Sequence, residues 1–374
     1  MAKILDTSNA KYWLSKEQLE DNHIVSSKLA FDLTIDKLST YLNFHPTKTG
    51  TFEDLNDILK KRSALLELAA YTAAYREIYS LNSDESTLVT DVREKINNAK
   101  IGIYVNMLVK SLRRLRHQGV KYVELSFSNP KTIIAIQEVM KDYQVPGIKY
   151  NFLLSENRSY KYSNFKNAEK LLPEMIKKGY VCGFDLMGME KPITPNDYKP
   201  NSPQHTSLYD KLEGVLTSLN SLNDDSVVCR LHAGEVYFES DIKEKKSNPE
   251  KTLEIIDQIV NDKGLKVPPP SIRLGHAQNI VKTDNYLNLL RKYNVTIEIN
   301  ATSNFALGNT KDLSSIPYKW YLDNGINVVL STDGSGFYST TIKDEARIAN
   351  AFTDTTTVKK VLKSEQEELT RRGM

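Results

Sequence analysis

The segment Leu231-His232-Ala233-Gly234-Glu235 follows the apolar run Val227-Val228-Cys229-Arg230 and sets an imidazole three residues before a carboxylate. Two later stretches have the same design: RLGHA (273–277), which ends on His276, and VVLSTDG (328–334), which ends on Asp333. Polar groups at the ends of apolar strands are where α/β enzymes keep their chemistry. Two histidines, a glutamate and an aspartate are what metal-assisted hydrolysis requires: imidazole and carboxylate hold a divalent ion, and the ion makes a nucleophile of its water.

These groups need strands to carry them. Short apolar or β-branched runs recur at 120–127, 148–154, 181–187, 227–233, 271–276, 295–300 and 326–331. Longer polar stretches with helical spacing separate them, and that alternation predicts a parallel sheet with a helix in each crossover. The nearly continuous apolar character of the runs predicts a sheet covered on both faces. Pattern alone leaves barrel and doubly wound sheet open; functional groups at several different strand ends favour the barrel. Helices are predicted from Thr51, from Val92 to Gln118 with a stop at Gly119, and from Asn248, with Asn248 as cap and Pro249 in the first turn. The first hundred or so residues contain no convincing strand.

At 374 residues, 40% hydrophobic and 26% charged, the chain has the composition of a soluble globular protein that can bury a large core. Fifty Lys and Arg against 47 Asp and Glu give a net charge of +3, too small a field for a nucleic-acid partner. No apolar run approaches the length of a membrane span, and the first residues lack the core of a signal peptide. Cys182 and Cys229 sit in apolar runs and read as reduced core thiols of a cytosolic protein. The basic stretch Lys110, Arg113, Arg114, Arg116, His117 and Lys121 reads as a solvated helix face.

Taken in order, LHAGE (231–235), RLGHA (273–277), EINATSN (298–304) and LSTDG (330–334) closely resemble the adenosine deaminase family of zinc-dependent hydrolases. YVELSFSNP (122–130) and GFDLMGME (183–190) resemble that family's second and fourth barrel strands, so the likeness runs over most of the chain. It implies a (β/α)8 TIM-type barrel that removes the 6-amino group of adenosine, deoxyadenosine or their nucleotides. By the same resemblance His232 and Asp333 are ligands of Zn2+, Glu235 protonates the ring nitrogen beside the attacked carbon, and His276 orients or deprotonates the water. Gly188 lets the substrate ring approach the backbone, while Ser303, with Asn304, and Gly334 shape the pocket. The partner implied is a small purine nucleoside or nucleotide, with no nucleic acid and no membrane.

Three departures from the family pattern bear on this expectation. No His-x-His pair, which would supply two further zinc ligands, occurs anywhere in the sequence. The first barrel strand is shortened to residues 1–7 or missing, so 1–374 is expected to be one domain with a mostly helical part at 1–118 and strands two to eight at 119–374. The N-terminal helices, a second copy or a partner chain are expected over the open edge. Asp333 is followed by Gly334 where the family has a second aspartate, which removes a contact to the base and widens the pocket floor. A non-catalytic relative that keeps a nucleotide pocket or serves in assembly is the competing reading; an inactive fragment that starts downstream of the true first residue is a third.

Overall fold

All seven expected strands form, within one or two residues of the expected ends except where β2 runs on to Asn157. In a computed structural model that describes residues 88–371 apart from 203–204, 267–270, 311, 335–337 and 339, they are β1 (Tyr122–Phe127), β2 (Lys149–Asn157), β3 (Gly183–Met187), β4 (Val228–Ala233), β5 (Ser271–His276), β6 (Thr296–Ile299) and β7 (Asn327–Leu330). Side chains are described from residue 101 onward, residue 103 excepted. Each strand pairs in parallel with the next, in the order β1 to β7. The helices are α1 (Leu88–His117), α2 (Pro130–Met140), α3 (Tyr162–Lys177), α4 (Leu208–Asn220), α5 (Glu239–Glu244), α6 (Asn248–Lys263), α7 (Asp284–Lys292), α8 (Ala301–Ala306), α9 (Tyr318–Asp323), α10 (Ile342–Phe352) and α11 (Thr355–Arg371). The helix expected at Thr51 and the strand remnant at 1–7 lie outside the described residues. Two units emerge: one runs up to His117 and takes in residues 135–145 and 336–339, and the other holds the rest, including the whole sheet.

The strands alternate more than their apolar look suggests. Phe152, Leu154, Phe184, Leu186, Cys229, Leu231, Ile272, Leu274, Ile297, Ile299 and Val328 are fully or almost fully buried. Burial of an aliphatic or aromatic side chain of this size contributes about 1.5–3 kcal/mol. The opposite parity, apart from such residues as Leu153 and Val228, carries polar residues: Glu124 and Ser126 on β1, Asp185 on β3, Arg230 and His232 on β4, Arg273 on β5, Thr296 and Glu298 on β6. The sheet curls so that this second set meets inside it, for Glu124 on β1 accepts from Arg273 on β5 at 2.6 Å, across a span of three intervening strands. Parallel sheets with one polar, inward face and apolar outer contacts to helices are the TIM-type α/β architecture.

Among the described residues β1 and β7 each pair on one side only. Helix α11 covers the free side of β7. Its residues Thr357, Val361, Ser364 and Glu368 recur at helical spacing and are buried, Glu365 accepts from the backbone N–H of Leu330 at 3.3 Å, and Glu368 accepts from Thr296 at 2.9 Å and from Arg273 at 3.0 Å.

Helix ends follow from capping residues, with one difference from expectation. Ser207 caps α4 by accepting from the N–H of Asp210. At α6 the cap position is Ser247, not Asn248. Asn248 instead accepts from Ile193 N–H at 3.0 Å and donates to Glu190 at 3.0 Å and to the Lys191 carbonyl at 2.8 Å, which ties α6 to the loop after β3. On α1, Val105, Leu108 and Leu112 are buried while Arg113, Arg114, Arg116 and His117 are exposed, as a solvated basic face requires. Neither cysteine is in a disulfide, and burial pushes the Cys229 thiol up to about 12.

Candidate active site

Strand β4 delivers His232 to the inner face because the alternation Cys229, Arg230, Leu231, His232 puts every second residue there. Beneath it, Asp185 is fully buried and accepts from Ser126 Oγ at 2.5 Å and from Arg230 Nη2 at 2.8 Å, and one of its oxygens lies 3.4 Å from His232 Nε2. Burial pulls the His232 imidazole down, but the Asp185 carboxylate outweighs it and leaves the pKa raised. Asp185 itself is pushed up by burial and held well below the carboxylate range by Arg230 and His232.

The chain turns sharply after β4. Gly234 has φ of 75°, and a Cβ there would meet Pro249 Cγ at 2.7 Å, so this position takes only glycine. Glu190, buried in the loop after β3, accepts from the N–H groups of Gly234 and Glu235 at 2.9 Å each and of Val236 at 3.1 Å. That clamp aims Glu235, whose Oε2 lies 3.9 Å from His276 Nε2.

His276 closes β5 with φ of 70°, a left-handed backbone that non-glycine residues adopt at a cost of about 1–3 kcal/mol and that clusters at functional sites. It is 1% exposed. Asn304 Oδ1 on α8 lies 2.7 Å from its Nδ1 and, as an amide oxygen, can only accept from it, while Nε2 faces Glu235. The rings of His232 and His276 meet edge to face with centroids 5.1 Å apart.

His232, Glu235 and His276 bring three donor atoms within 4.8 Å of one another. Two imidazoles and a carboxylate are a fitting set for a borderline divalent cation, whose bonds of about 2.0–2.2 Å need the donors only slightly closer. Asp333 stands apart from this trio. It is exposed, in a left-handed conformation after β7, and acts on His232 through its charge.

The remaining expected residues occupy varied surroundings. Gly188 has φ of 95°, and a Cβ there would meet the side chain of Asn157 at 2.4 Å; the group packed against it is thus a neighbouring strand's amide. Ser303 is buried in α8 and its hydroxyl donates to the Asn300 carbonyl at 3.3 Å. Gly334 follows Asp333 and is half-buried. Two residues that sequence reasoning passed over, Asp185 and Glu190, support the site, and Asn304, expected to shape the pocket, is the partner of His276. The first two lie in GFDLMGME, where Asp185 alternates with Phe184 and Leu186, the signal that marks it as inward-facing.

Residues 268–363 match the family model described as Adenosine deaminase. The adenosine deaminase of Enterococcus faecalis (strain ATCC 700802 / V583) is 26% identical over 238 residues, 61% of this chain and 59% of its own length. Over these stretches the chain is similar to adenosine deaminases. The adenosine deaminase of Plasmodium gallinaceum is 36% identical over 73 residues, 20% of each chain. The chain therefore spans 59% and 20% of the length of these two relatives. Among solved structures, an Arabidopsis N6-mAMP deaminase superposes with a TM-score of 0.51 at 15% identity, over 85% of this chain and 90% of that one. An amidohydrolase from Burkhoderia ambifaria with bound Zn gives 0.50 at 12% identity, over 74% and 72%. These likenesses agree with the TIM-type α/β fold seen in the strand order.

Proposed function

We propose that this chain is a purine deaminase, a hydrolase that replaces the 6-amino group of adenosine, deoxyadenosine or their nucleotides with oxygen and releases ammonia. The observation that carries the reading is the convergence of Glu235 and His276, 3.9 Å apart, beside His232 at the ends of two adjacent strands. In this reading His276 Nε2, its other nitrogen bound to Asn304, takes the proton of the attacking water. Glu235 donates a proton to the ring nitrogen next to the carbon under attack, so that charge does not build up on the ring as water adds. His276 then returns its proton to the departing amine, the new hydroxyl gives its proton to the Glu235 carboxylate, and ammonia leaves with both groups restored.

The metal is proposed as Zn2+, held by His232 with the donors of Glu235 and His276 close by, while Asp333, the second ligand expected from the resemblance, bears on His232 through its charge. When bound, it lowers the pKa of a coordinated water towards neutrality. Because Asp185 favours the protonated imidazole, a metal held by His232 would displace that proton to solvent, so its binding would be coupled to proton release.

The test supplies the full chain with Zn2+ and each of adenosine, deoxyadenosine and their 5′-monophosphates, and follows the inosine-type product by chromatography. Conversion of at least one is expected, and conversion of none overturns the reading. Glu235→Gln, which keeps the shape and removes the acid, is expected to lower kcat about 10²–10⁴-fold with the thermal midpoint retained.

A further inference from the structure

A second polar cluster lies at the same end of the sheet and has no part in the proton transfers. Arg158 follows the last residue of β2, and its N–H donates to the Met187 carbonyl at 2.8 Å, which ties it to the end of β3. Its guanidinium Nε and Nη2 are buried and have no hydrogen-bond partner. Lys211, in the first turn of α4, donates from Nζ to the Arg158 carbonyl, and its ammonium stands 5.5 Å from the centre of the Phe165 ring.

The Arg158 guanidinium is thus held out of water, with the half-buried Lys211 bonded to its backbone. Burial pulls both below their usual range, and the charge of Arg158 lowers Lys211 further. The carboxylates that act on Arg158 are Glu190, Glu235, Asp185 and Asp197. Three of them are already engaged: Glu190 by three backbone N–H groups and Asn248, Asp185 by Arg230 and Ser126, and Asp197 by Thr194. The fourth, Glu235, is the group assigned to the substrate. A buried guanidinium fork with open N–H groups is a poor structural element and a good receptor for a tetrahedral oxyanion, which it binds through two parallel hydrogen bonds.

We propose that Arg158, assisted by Lys211, is an anion subsite that takes the phosphate monoester of a purine nucleotide whose base lies against Glu235. The assignment rests on the purine reading of the site. It makes Arg158 a specificity-determining residue that favours nucleotides over nucleosides.

The experiment measures by titration calorimetry the affinity of the full chain for inosine, inosine 5′-monophosphate and inorganic phosphate, in wild type, Arg158→Gln and Lys211→Gln. Wild type is expected to bind the monophosphate at least ten-fold more tightly than inosine, and the ratio should fall towards one in Arg158→Gln and part-way in Lys211→Gln. Thermal midpoints establish that the variants fold, and Lys211→Gln carries the test if Arg158→Gln does not. Equal affinities in wild type, or an unchanged ratio in the variants, overturn the subsite and leave the purine reading standing. Binding of inorganic phosphate that depends on Arg158, with no binding of either purine ligand, overturns the purine reading and with it the assignment to a nucleotide. Absence of all three overturns both.

Discussion

Glu190 gathers the N–H groups of Gly234, Glu235 and Val236 on one carboxylate, so the aim of the proposed proton donor is set by a side chain that touches no reacting atom. Glu190→Ala is expected to leave those three donors unsatisfied. It should lower stability by about 1.5–3 kcal/mol, the worth of hydrogen bonds to a charged group, and slow turnover more than it weakens substrate binding, as a split of kcat from KM will register. A second carboxylate makes the fold sensitive to acid. Burial raises Asp210, but hydrogen bonds from Ser202 and Ser207 and from the N–H groups of Ser202 and Asn201 outweigh it, so its folded pKa lies below the usual value. The stabilisation it brings is therefore complete above about pH 4, the unfolded value, and fades as pH falls through the lower, folded value. Asp210→Asn should flatten this part of the acid limb in a series of urea melts between pH 2 and 5. An acid limb that stays as steep would remove Asp210 from the account.

At the scale of elements, the strands were legible because an apolar run that ends in a polar group is visible in one dimension. The ends of β4 and β5, with His232 and His276, followed from that alone. What lies across the curled sheet was not legible. Arg230 and Arg273 look like interruptions of apolar runs until Glu124, Asp185, Glu298 and Glu368, on three other strands and α11, are seen to meet them. Asn304 likewise gains its role only when α8 sets it 2.7 Å from His276, a contact between residues 28 positions apart. Asp333 shows the limit in the other direction: its motif is clear in the sequence, yet the turn after β7 leaves it exposed and outside the trio. Strand identity is local information, whereas a shared inner face depends on register and curl.

For the whole sheet, those inner charges act as one body. Arg273 alone joins β1, β6 and α11 through Glu124, Glu298 and Glu368. Arg273→Leu is expected to take from three buried carboxylates the guanidinium they share and to cost about 3–5 kcal/mol, the range for breaking a buried pair by removing one partner; chemical denaturation should read it as a large drop in midpoint. A loss under about 1 kcal/mol would mean that water already reaches the cluster. The same body includes the edge of β7, where Glu365 accepts from Leu330 N–H and no ladder runs among the described residues. A single carboxylate there does the work that a row of carbonyls does between other strands. The β7 amides should accordingly exchange with deuterium before those of β3 and β4, and a chain cut before Thr355 should associate with itself in light scattering as its concentration rises. Stitched by side chains where its neighbours are woven by backbone, that seam is where the molecule first comes open.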